Sequence, residues 1–426
     1  MAGDTHFIGL DVGTSGVRAV AIDHAGRVAA RASRPMPAPR ATGDGGRLQE
    51  PGVWWQAVLA VLTEVGRDIS GPAASLAIDG TSGTLLLADA DGRPLGPARL
   101  YDDTSAAALA EQIRAVAPAT SGAHGATSPL ARLLAMQPNT PPARFALHQA
   151  DWLAGRLCGR FGTSDDNNAL KLGWDPVRRV WPDWLDRLGT PRALLPEVVP
   201  PGSVLDPLLP EIAAETGLGP RCLVVAGTTD GCASFLATGA DTCGDGVTAL
   251  GTTLTVKLLA GQPLFAPDYG VYSHRLGDRW LVGGASNTGG AALLRFFTAE
   301  RIAELTPELR PEAPTGLDWH PLPARGERFP IADPELTFEP ARPTDEATLL
   351  QGLLEGIAAV EARGYALLAD LGGPPLRSVR TVGGGAANPA WSRIRARLLG
   401  VPLLEPTSLE AAYGTALLAR RAVTGS

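Results

Sequence analysis

The sequence predicts an α/β fold made of two related lobes. A turn rich in glycine and hydroxyl residues lies between apolar strands at residues 10–16, and a similar turn follows far downstream at residues 249–254. Strand and helix patterns also alternate in the first half, which is typical of a sheet with parallel and antiparallel strands and argues against an all-helical or sandwich fold. Because amides and hydroxyls in such turns can bind phosphate oxygens, the repeat suggests two lobes around one phosphate site.

The first half of the chain carries most of the strand patterns. A helix opens after Pro51, and a turn at residues 89–92 ends a strand pair. The predicted strands cover residues 7–11, 17–22, 76–79, 85–88 and 223–226, the helix residues 53–65, a mostly helical region residues 123–184, and an extended linker residues 191–210. The first lobe is therefore expected to hold one sheet with strands of both directions.

The second half begins with another strand, turn and strand around Gly251, which is a weak repeat of the opening hairpin. The other predicted elements are strands at residues 269–274, 279–282 and 379–382 and helices at residues 291–297, 349–368, 389–399 and 411–423. A second lobe of strands and helices is expected here.

The composition favours a globular protein that binds a small solute. The chain has 426 residues, an apolar fraction of 45% and a formal net charge of −7, so it can form two or three domains and is unsuited to nucleic acid or an acidic membrane. No apolar run approaches the ~20 residues of a membrane span, and residues 1–6 do not show a basic region followed by an apolar signal segment, so we expect a cytoplasmic protein. The cysteines lack metal-site spacing and are predicted to be free thiols: Cys158, Cys222, Cys232 and Cys243.

Two carboxylates that follow predicted strands are the strongest catalytic candidates. Asp11 lies at the mouth of the first turn, where it can hold a magnesium ion through water, since Mg²⁺ prefers oxygen ligands and keeps several waters. Asp230 ends an apolar strand and precedes a helix predicted over residues 232–238. It can accept a proton from an attacking hydroxyl, or it can cap that helix. The presence of two strand-end carboxylates favours catalysis.

A glycine-rich segment, residues 383–386, follows a predicted strand and precedes a helix. Such a segment allows a ligand to approach the backbone and offers helix N-terminal amides, although it can equally be a tight turn. The chain has neither a GxxxxGK[ST] loop nor a GxGxxG segment after a strand. The common phosphate-loop and dinucleotide folds are therefore unsupported.

Together these segments resemble the FGGY carbohydrate kinase family, within the superfamily of actin, hexokinase and the heat-shock chaperone ATPases. The resemblance runs end to end, and its most specific segments are residues 9–18, 227–230, 250–253 and 383–386. Residues 78–84, 168–173 and 283–287 are similar to a compact cyanobacterial and plant subgroup that acts on D-ribulose.

The resemblance implies a two-lobed, actin-like (ribonuclease-H-like) α/β fold with a nucleotide cleft between the lobes. The first lobe, on the sugar and phosphate side, is expected over residues 1–236 and is joined by the C-terminal helix at residues 410–426. The second lobe, on the adenosine side, is expected over residues 237–409.

The site residues also follow from this resemblance. Asp230 corresponds to the base that takes the proton from the sugar's terminal hydroxyl as that oxygen attacks the γ-phosphorus of ATP. Asp11 corresponds to a carboxylate near magnesium and the reacting hydroxyl, and Ser82 to a sugar contact. The expected nucleotide contacts are Gly13, Thr14, Ser15 and Gly16 in the first turn, Gly251, Thr252 and Thr253 in the second, and Gly384, Gly385 and Asn388 along the adenosine. The implied reaction is ATP- and Mg²⁺-dependent phosphorylation of the 5-hydroxyl of D-ribulose by a monomer or simple homodimer.

The chain departs from xylulose kinases in its expected sugar contacts. The Met-His pair usual in those enzymes is replaced by Ser82 and Gly83, and their Trp-x-Asp-x-Arg element by residues 101–105. Arg132 stands where many relatives carry a lysine. The alternatives are a kinase for another ketopentose or polyol, such as D-xylulose or L-ribulose, and a nucleotide-binding switch or ATPase without sugar turnover.

Three further polar residues have two interpretations each. Lys171 and Asn168 can line the sugar pocket or stabilise their own loop. Asp79 can contact the sugar or make a structural hydrogen bond. Lys171 and Lys257 are the only lysines of the chain, which supplies its other positive charges with arginine.

Overall fold

The computed structural model describes residues 5–137, 142–340 and 345–425. The chain divides into two compact units. The first unit comprises Met1–Ala237, His274–Gly277 and Ser408–Ser426, and the second comprises Thr238–Ser273 and Asp278–Thr407.

The strands and helices of the described residues are numbered in chain order. The strands are β1 (His6–Val12), β2 (Gly16–Ile22), β3 (Val28–Pro35), β4 (Arg40–Ala41), β5 (Arg47–Gln49), β6 (Ala73–Gly80), β7 (Leu85–Ala88), β8 (Ala98–Arg99), β9 (Phe145–His148), β10 (Thr163–Asp165), β11 (Glu197–Val199), β12 (Val204–Pro207), β13 (Leu223–Thr229), β14 (Asp245–Leu250), β15 (Leu254–Ala260), β16 (Tyr272–Leu276), β17 (Arg279–Ser286), β18 (Ser378–Val382) and β19 (Leu403–Leu404). The helices are α1 (Pro51–Asp68), α2 (Ala107–Val116), α3 (Pro129–Met136), α4 (Gln149–Cys158), α5 (Asp166–Ala169), α6 (Pro210–Thr216), α7 (Asp230–Ala237), α8 (Gly290–Leu294), α9 (Ala299–Leu305), α10 (Glu346–Asp370), α11 (Pro389–Leu399) and α12 (Ala411–Thr424).

The main sheet of the first unit has six strands in the order β12-β13-β6-β1-β2-β3. Strands β1, β6 and β13 are parallel neighbours, whereas β1 and β2 form an antiparallel hairpin. Both faces of the sheet are covered, because Ile8 and Leu10 pack in one core with Trp54 of α1 and Phe7 packs in another with Ala416 of α12. Burial on both faces explains the nearly continuous apolar sequence of β1.

Helix α12 lies directly against β1. A Cβ atom on Gly9 would coincide with the backbone of Ala412 and Ala416, so only glycine permits this approach. The close packing brings Thr415 of α12 to the carboxyl end of β6, where its hydroxyl donates to Asp79. The C-terminal helix therefore helps to shape the strand ends of the first unit.

The first unit has two smaller sheets, with the orders β4-β5-β8-β7-β9 and β10-β11. The second unit holds the strands β17-β15-β14-β18-β19 of another sheet, in which β14 and β15 form a hairpin and β18 lies parallel to β14. Ile357 of α10 and Ile394 of α11 pack in the core of this unit with Val379 of β18. Strand β18 leads into residues 383–388 and then into α11.

Most predicted elements are confirmed to within a few residues, but two regions differ. The linker predicted over residues 191–210 is wrong, because it contains β11 and β12, and β12 forms the edge of the main sheet. Proline is tolerated in edge strands, so the proline-rich sequence hid a real strand. The region 123–184, predicted as mostly helical, also contains β9 and β10.

Two simpler expectations can be compared directly. The four cysteines are free thiols, as predicted, and three of them are buried. Within the described ranges no helix has the length and apolarity required to cross a membrane.

Candidate functional site

Three carboxylates lie at one edge of the main sheet in the first unit. Asp11 is near the end of β1, Asp79 is near the end of β6, and Asp230 follows β13 as the first residue of α7. Asp11 is paired with Asp79 in the strand register, and Thr228 is paired with Asp79 from the other side. Because carboxyl ends of parallel strands share an edge, the fold brings together the two predicted catalytic aspartates and adds a third.

Asp11 is held by the neighbouring hairpin strand. The Nη1 of Arg18 donates to its Oδ2 at 3.0 Å, and the Asp11 side chain is 13% exposed. Burial raises the pKa of Asp11 above its usual range, although the Arg18 guanidinium opposes this shift. Arg18 is over half exposed. Asp11 thus remains reachable from solvent while one of its oxygens is oriented.

Asp79 is fully buried, and the Thr415 hydroxyl donates to its Oδ2 at 2.5 Å. Its Oδ1 has no N–H or hydroxyl donor among the described residues, and Asp11 is its carboxyl neighbour. Burial, followed by the charge of Asp11, raises the pKa of Asp79 well above its ordinary value.

Asp230 is partly buried at the start of α7, which begins two residues earlier than the helix predicted from the sequence. Its Oδ1 accepts a hydrogen bond from the Gly231 N–H at 2.7 Å. The preceding Thr228 and Thr229 are buried, and Thr228 Oγ1 accepts from Asn167 Nδ2 at 3.0 Å. The hydrogen bond from Asn167 therefore holds the end of β13 in place, and Asp230, which follows this strand, is partly exposed.

The first turn, residues 13–16, is closed by a bond from the Gly13 N–H to the Gly16 carbonyl at 3.0 Å. It is also anchored from behind, since Gln49 Nε2 donates to the Thr14 carbonyl at 3.2 Å. Ser15 is exposed. The predicted phosphate turn is thus rigid and accessible in the first unit.

The second turn, residues 251–253, lies in the second unit and is supported by the start of α8. The N–H groups of Gly290 and Ala291 donate to the carbonyls of Gly251 and Thr252 at 2.8 and 3.1 Å. Gly289 has a φ of +140°, and a Cβ there would lie 2.7 Å from the Thr253 carbonyl carbon. Gly251 and Thr252 are exposed, so this turn is accessible as well.

The glycine loop, residues 383–388, also belongs to the second unit. Gly384 is exposed, with open space where a Cβ would stand. Asn388 caps α11, because its Oδ1 accepts from the Trp391 N–H at 3.0 Å, and its Nδ2 donates to Thr306. The Asn388 side chain therefore has a structural task, whereas Gly384 offers exposed backbone to a ligand.

Ser82 lies in the turn after β6, and Asn168 and Lys171 lie close to one another around α5. Asn168 Nδ2 donates to Asp165 at 2.5 Å, which supports the loop-stabilising interpretation of this residue. Lys171 Nζ donates to the Ser82 carbonyl at 3.3 Å. The structure thus brings Lys171, but not the Asn168 amide, to the predicted sugar contact.

Sequence reasoning missed two residues that organise these strand ends. Thr415 is separated from Asp79 by most of the chain, and no local pattern identifies it. Asn167 donates to Thr228 and to the Arg275 carbonyl, both at 3.0 Å, and accepts from the Arg275 N–H at 2.9 Å. The paired asparagines at 167 and 168 were a visible signal, but the sequence did not show which of them reaches β13.

The carboxylates suit a metal ion that is bound only partly by protein. In the described parts of the chain, no three histidine, cysteine, aspartate or glutamate side chains cluster as a metal site. Mg²⁺ is commonly held by one or two carboxylates, several waters and substrate phosphates. Asp11, partly exposed near Asp230, fits that arrangement.

Asp165 provides a pH-dependent test of the polar segment behind β13. It caps α5 by accepting from the Asn167 and Asn168 N–H groups, and burial together with the Asp151 charge raises its pKa to about 8. Because the pKa of Asp165 is higher in the folded protein than in the unfolded chain, its contribution to stability is fully present below the unfolded pKa of ~3.9. This contribution is lost as the pH rises through the folded pKa. We therefore expect Asp165→Asn to gain stability relative to wild type, by ~1 kcal/mol or more, between pH 5 and pH 8.

Denaturant midpoints at several pH values would measure this difference. Asp345→Asn is the matched control, since Asp345 also caps a helix but is exposed and has a lowered pKa. Its difference from wild type should stay flat over the same range. An equally flat difference for Asp165→Asn would contradict the raised pKa.

The whole chain can be superposed on solved two-domain kinases. The xylulose kinase of Rhodospirillum rubrum matches with a TM-score of 0.85 and 25% identity over 98% of this chain and 89% of that chain. Such neighbours have the actin-like ATPase fold, so the predicted fold class is confirmed. The fold and its strand-end carboxylates thus define a phosphotransferase of the actin-like class.

Two family models then identify the family. The N-terminal domain of the FGGY family of carbohydrate kinases matches residues 6–237, and the C-terminal domain matches residues 246–423. The chain belongs to the FGGY family of carbohydrate kinases and is an ATP-dependent phosphotransferase. Its curated relatives include the xylulose kinase of Streptomyces coelicolor, 28% identical over 98% of this chain and 88% of the relative, and the glycerol kinase of Bordetella parapertussis, 28% identical over 99% and 90%.

Proposed function

We propose that this kinase transfers the γ-phosphoryl group of ATP to the 5-hydroxyl of D-ribulose and forms D-ribulose 5-phosphate. The observation that carries the proposal is the cluster of Asp11, Asp79 and Asp230 at three adjacent strand ends. Phosphoryl transfer requires a proton acceptor and a ligand for the metal ion, and the neighbouring carboxylates of Asp230 and Asp11 can serve in these two roles.

Each carboxyl group has a distinct task in this proposal. Asp230 accepts the proton of the sugar hydroxyl as its oxygen attacks phosphorus. Asp11, oriented by Arg18, would hold a magnesium ion through water, and the ion would supply charge neutralisation for the phosphates. Asp79, fully buried and held by the Thr415 hydroxyl, positions the end of β6 next to Asp11.

The nucleotide contacts are proposed separately for the two units. The first turn, with Gly13, Thr14, Ser15 and Gly16, belongs to the first unit, and the second turn and glycine loop belong to the second. Both turns have exposed residues and fixed backbones, which suits the binding of phosphate oxygens. We propose the first unit as the sugar and phosphate side and the second as the adenosine side.

The turn after β6 supports a ketopentose other than D-xylulose, because Gly83 stands where xylulose kinases usually carry a histidine and this turn has no room for that side chain. Gly83 has a φ of +104°, and a Cβ there would lie 3.2 Å from Pro129 Cγ and 3.5 Å from Arg132 Nη2. A side chain at this position would be strained and crowded. D-Xylulose remains the second candidate, because relatives of this chain carry the name xylulose kinase.

A panel of acceptors tests the proposal. Mg²⁺-dependent ADP release would be measured with D-ribulose, D-xylulose, L-ribulose and glycerol, and without sugar. We expect D-ribulose to give the highest kcat/KM, by ~10-fold or more over the others, since a misplaced hydroxyl leaves buried polar groups unpaired. Preference for another sugar would refute D-ribulose as the substrate but not the sugar kinase activity. Equal ADP release without sugar would indicate an ATPase or switch.

A further inference from the structure

The turn after β6, residues 81–84, is fixed by buried polar side chains. Arg132 of α3 is 1% exposed and donates to the Gly83 carbonyl at 2.8 Å. Gln149 Oε1 accepts from the N–H and the hydroxyl of Thr81 at 3.1 and 3.0 Å. The backbone of the turn is therefore held in place by groups other than Lys171.

Lys171 reaches this turn from the short helix Leu170–Leu172. Its Nζ donates to the Ser82 carbonyl, and its Cδ would lie 3.7 Å from a Cβ on Gly83. The aliphatic part of the Lys171 side chain thus passes close to the Gly83 backbone, in space that a side chain at position 83 would occupy. This path delivers an ammonium group to Ser82.

The hydroxyl of Ser82 retains hydrogen-bonding capacity. Its Oγ is buried and has no hydrogen-bond partner among the residues that the structure describes. Buried hydroxyls in folded proteins normally have a partner, so this one points to a ligand. An ammonium group and a free hydroxyl at one turn form a donor pair suited to an oxygen acceptor.

A ketopentose phosphorylated at its 5-hydroxyl must present such an acceptor. In the furanose form O5 closes the ring onto C2, so a free 5-hydroxyl exists only in the acyclic form. The acyclic form carries a C2 carbonyl, which accepts hydrogen bonds strongly. The substrate of the proposed reaction therefore requires a donor at C2.

We propose that Lys171, together with Ser82, donates hydrogen bonds to the C2 carbonyl of the acyclic ketose and selects ketoses over alditols. This assignment rests on the proposed function. No covalent bond forms, and the ammonium group keeps its protons. Lys171 is thereby a specificity-determining residue of the sugar site.

The test compares ligands that differ only at C2. Ribitol and D-arabinitol retain the carbon chain of D-ribulose but have a hydroxyl in place of the carbonyl. We would measure kcat/KM for D-ribulose and the competitive inhibition constants of both alditols in wild type, Lys171→Met and Lys257→Met. In Lys171→Met we expect kcat/KM to fall ~10-fold or more, the scale of a hydrogen bond from a charged group, while the inhibition constants change far less.

Lys257→Met is the matched control, because Lys257 is the other lysine and lies on β15 in the second unit. It should leave both quantities unchanged. Partial misfolding would lower kcat and leave KM and the inhibition constants unchanged, so kcat is normalised to the fraction of enzyme that binds nucleotide, and a loss of kcat/KM that disappears on this normalisation would contradict the proposal. Equal weakening of ketose and alditols in Lys171→Met would overturn the proposal and indicate a purely structural lysine.

The same experiment separates this proposal from the proposed function. A wild type that uses D-xylulose, with the same loss in Lys171→Met, would support the carbonyl contact and correct only the sugar. A wild type that phosphorylates no ketose would overturn the proposed reaction and the Lys171 assignment with it.

Discussion

Replacing Asp230 with alanine is expected to lower kcat by ~10² or more while ATP binding stays close to that of wild type. Asp230 is partly exposed at the start of α7, and its charge is felt by both Asp11 and Asp79. In the proposed reaction this carboxylate takes the proton from the attacking hydroxyl, so its loss should slow the chemical step. Steady-state kcat at saturating sugar and an independent nucleotide titration would measure the two effects.

Asp230→Asn distinguishes the base from a residue that only organises the helix start. Asparagine and aspartate serve almost equally well at helix N-termini, and an amide oxygen can still accept from the Gly231 N–H. A structural role therefore predicts a nearly normal asparagine variant. A catalytic base predicts that asparagine is as damaging as alanine. Turnover within about twofold of wild type in Asp230→Asn would eliminate the proposed role, because a lost general base typically costs ~10² or more.

The parts of the fold predicted best are those that depend on neighbouring residues. The strand predicted at residues 7–11 and its partner at 17–22 correspond to β1 and β2 almost residue by residue. Apolar strands and a glycine turn are both local signals, so their boundaries are visible in the sequence. Edge strand β12 gave no such signal, because it is short and ends at Pro207.

The candidate site depends more strongly on contacts between distant segments. The sequence placed Asp11 at a strand end, but the pairing of Asp11 with Asp79 is a property of sheet register. The raised pKa of Asp79 depends further on its complete burial, and its orientation depends on the Thr415 hydroxyl of α12. Residue type and spacing do not show that Asp79 is completely buried or that it contacts Thr415. The family resemblance supplied the proposed roles of Asp11 and Asp230, whereas the effect of the carboxyl groups on one another's pKa depends on burial and distance in the folded chain.

The largest effect on stability is expected at a buried ion pair in the second unit. Arg395 of α11 and Glu361 of α10 are 1% and 0% exposed, and they pair through two bonds of 2.6 and 2.7 Å. Thr248 donates to Glu361, and Arg395 donates to Thr381 of β18. Because removal of one partner leaves a buried charge unpaired, Arg395→Met should lower the free energy of unfolding by ~3–5 kcal/mol.

The double variant Glu361→Leu with Arg395→Met is the decisive control. Replacing both charges with apolar groups removes the desolvation cost, so the double variant should recover most of the lost stability. Denaturant unfolding of both variants measures this coupling. A double variant as unstable as Arg395→Met would contradict the unpaired-charge explanation and point to lost packing.

The position of this pair connects stability to the glycine loop. Thr381 precedes that loop on β18, and Arg395 follows it on α11, so the guanidinium joins the two elements that flank Gly384 and Asn388. We therefore expect the double variant, although restored in stability, to keep a raised KM for ATP because the link to Thr381 is lost. Its KM for the sugar should be unchanged. An unaltered KM for ATP would show that the loop is held by its own backbone and by the cap at Asn388.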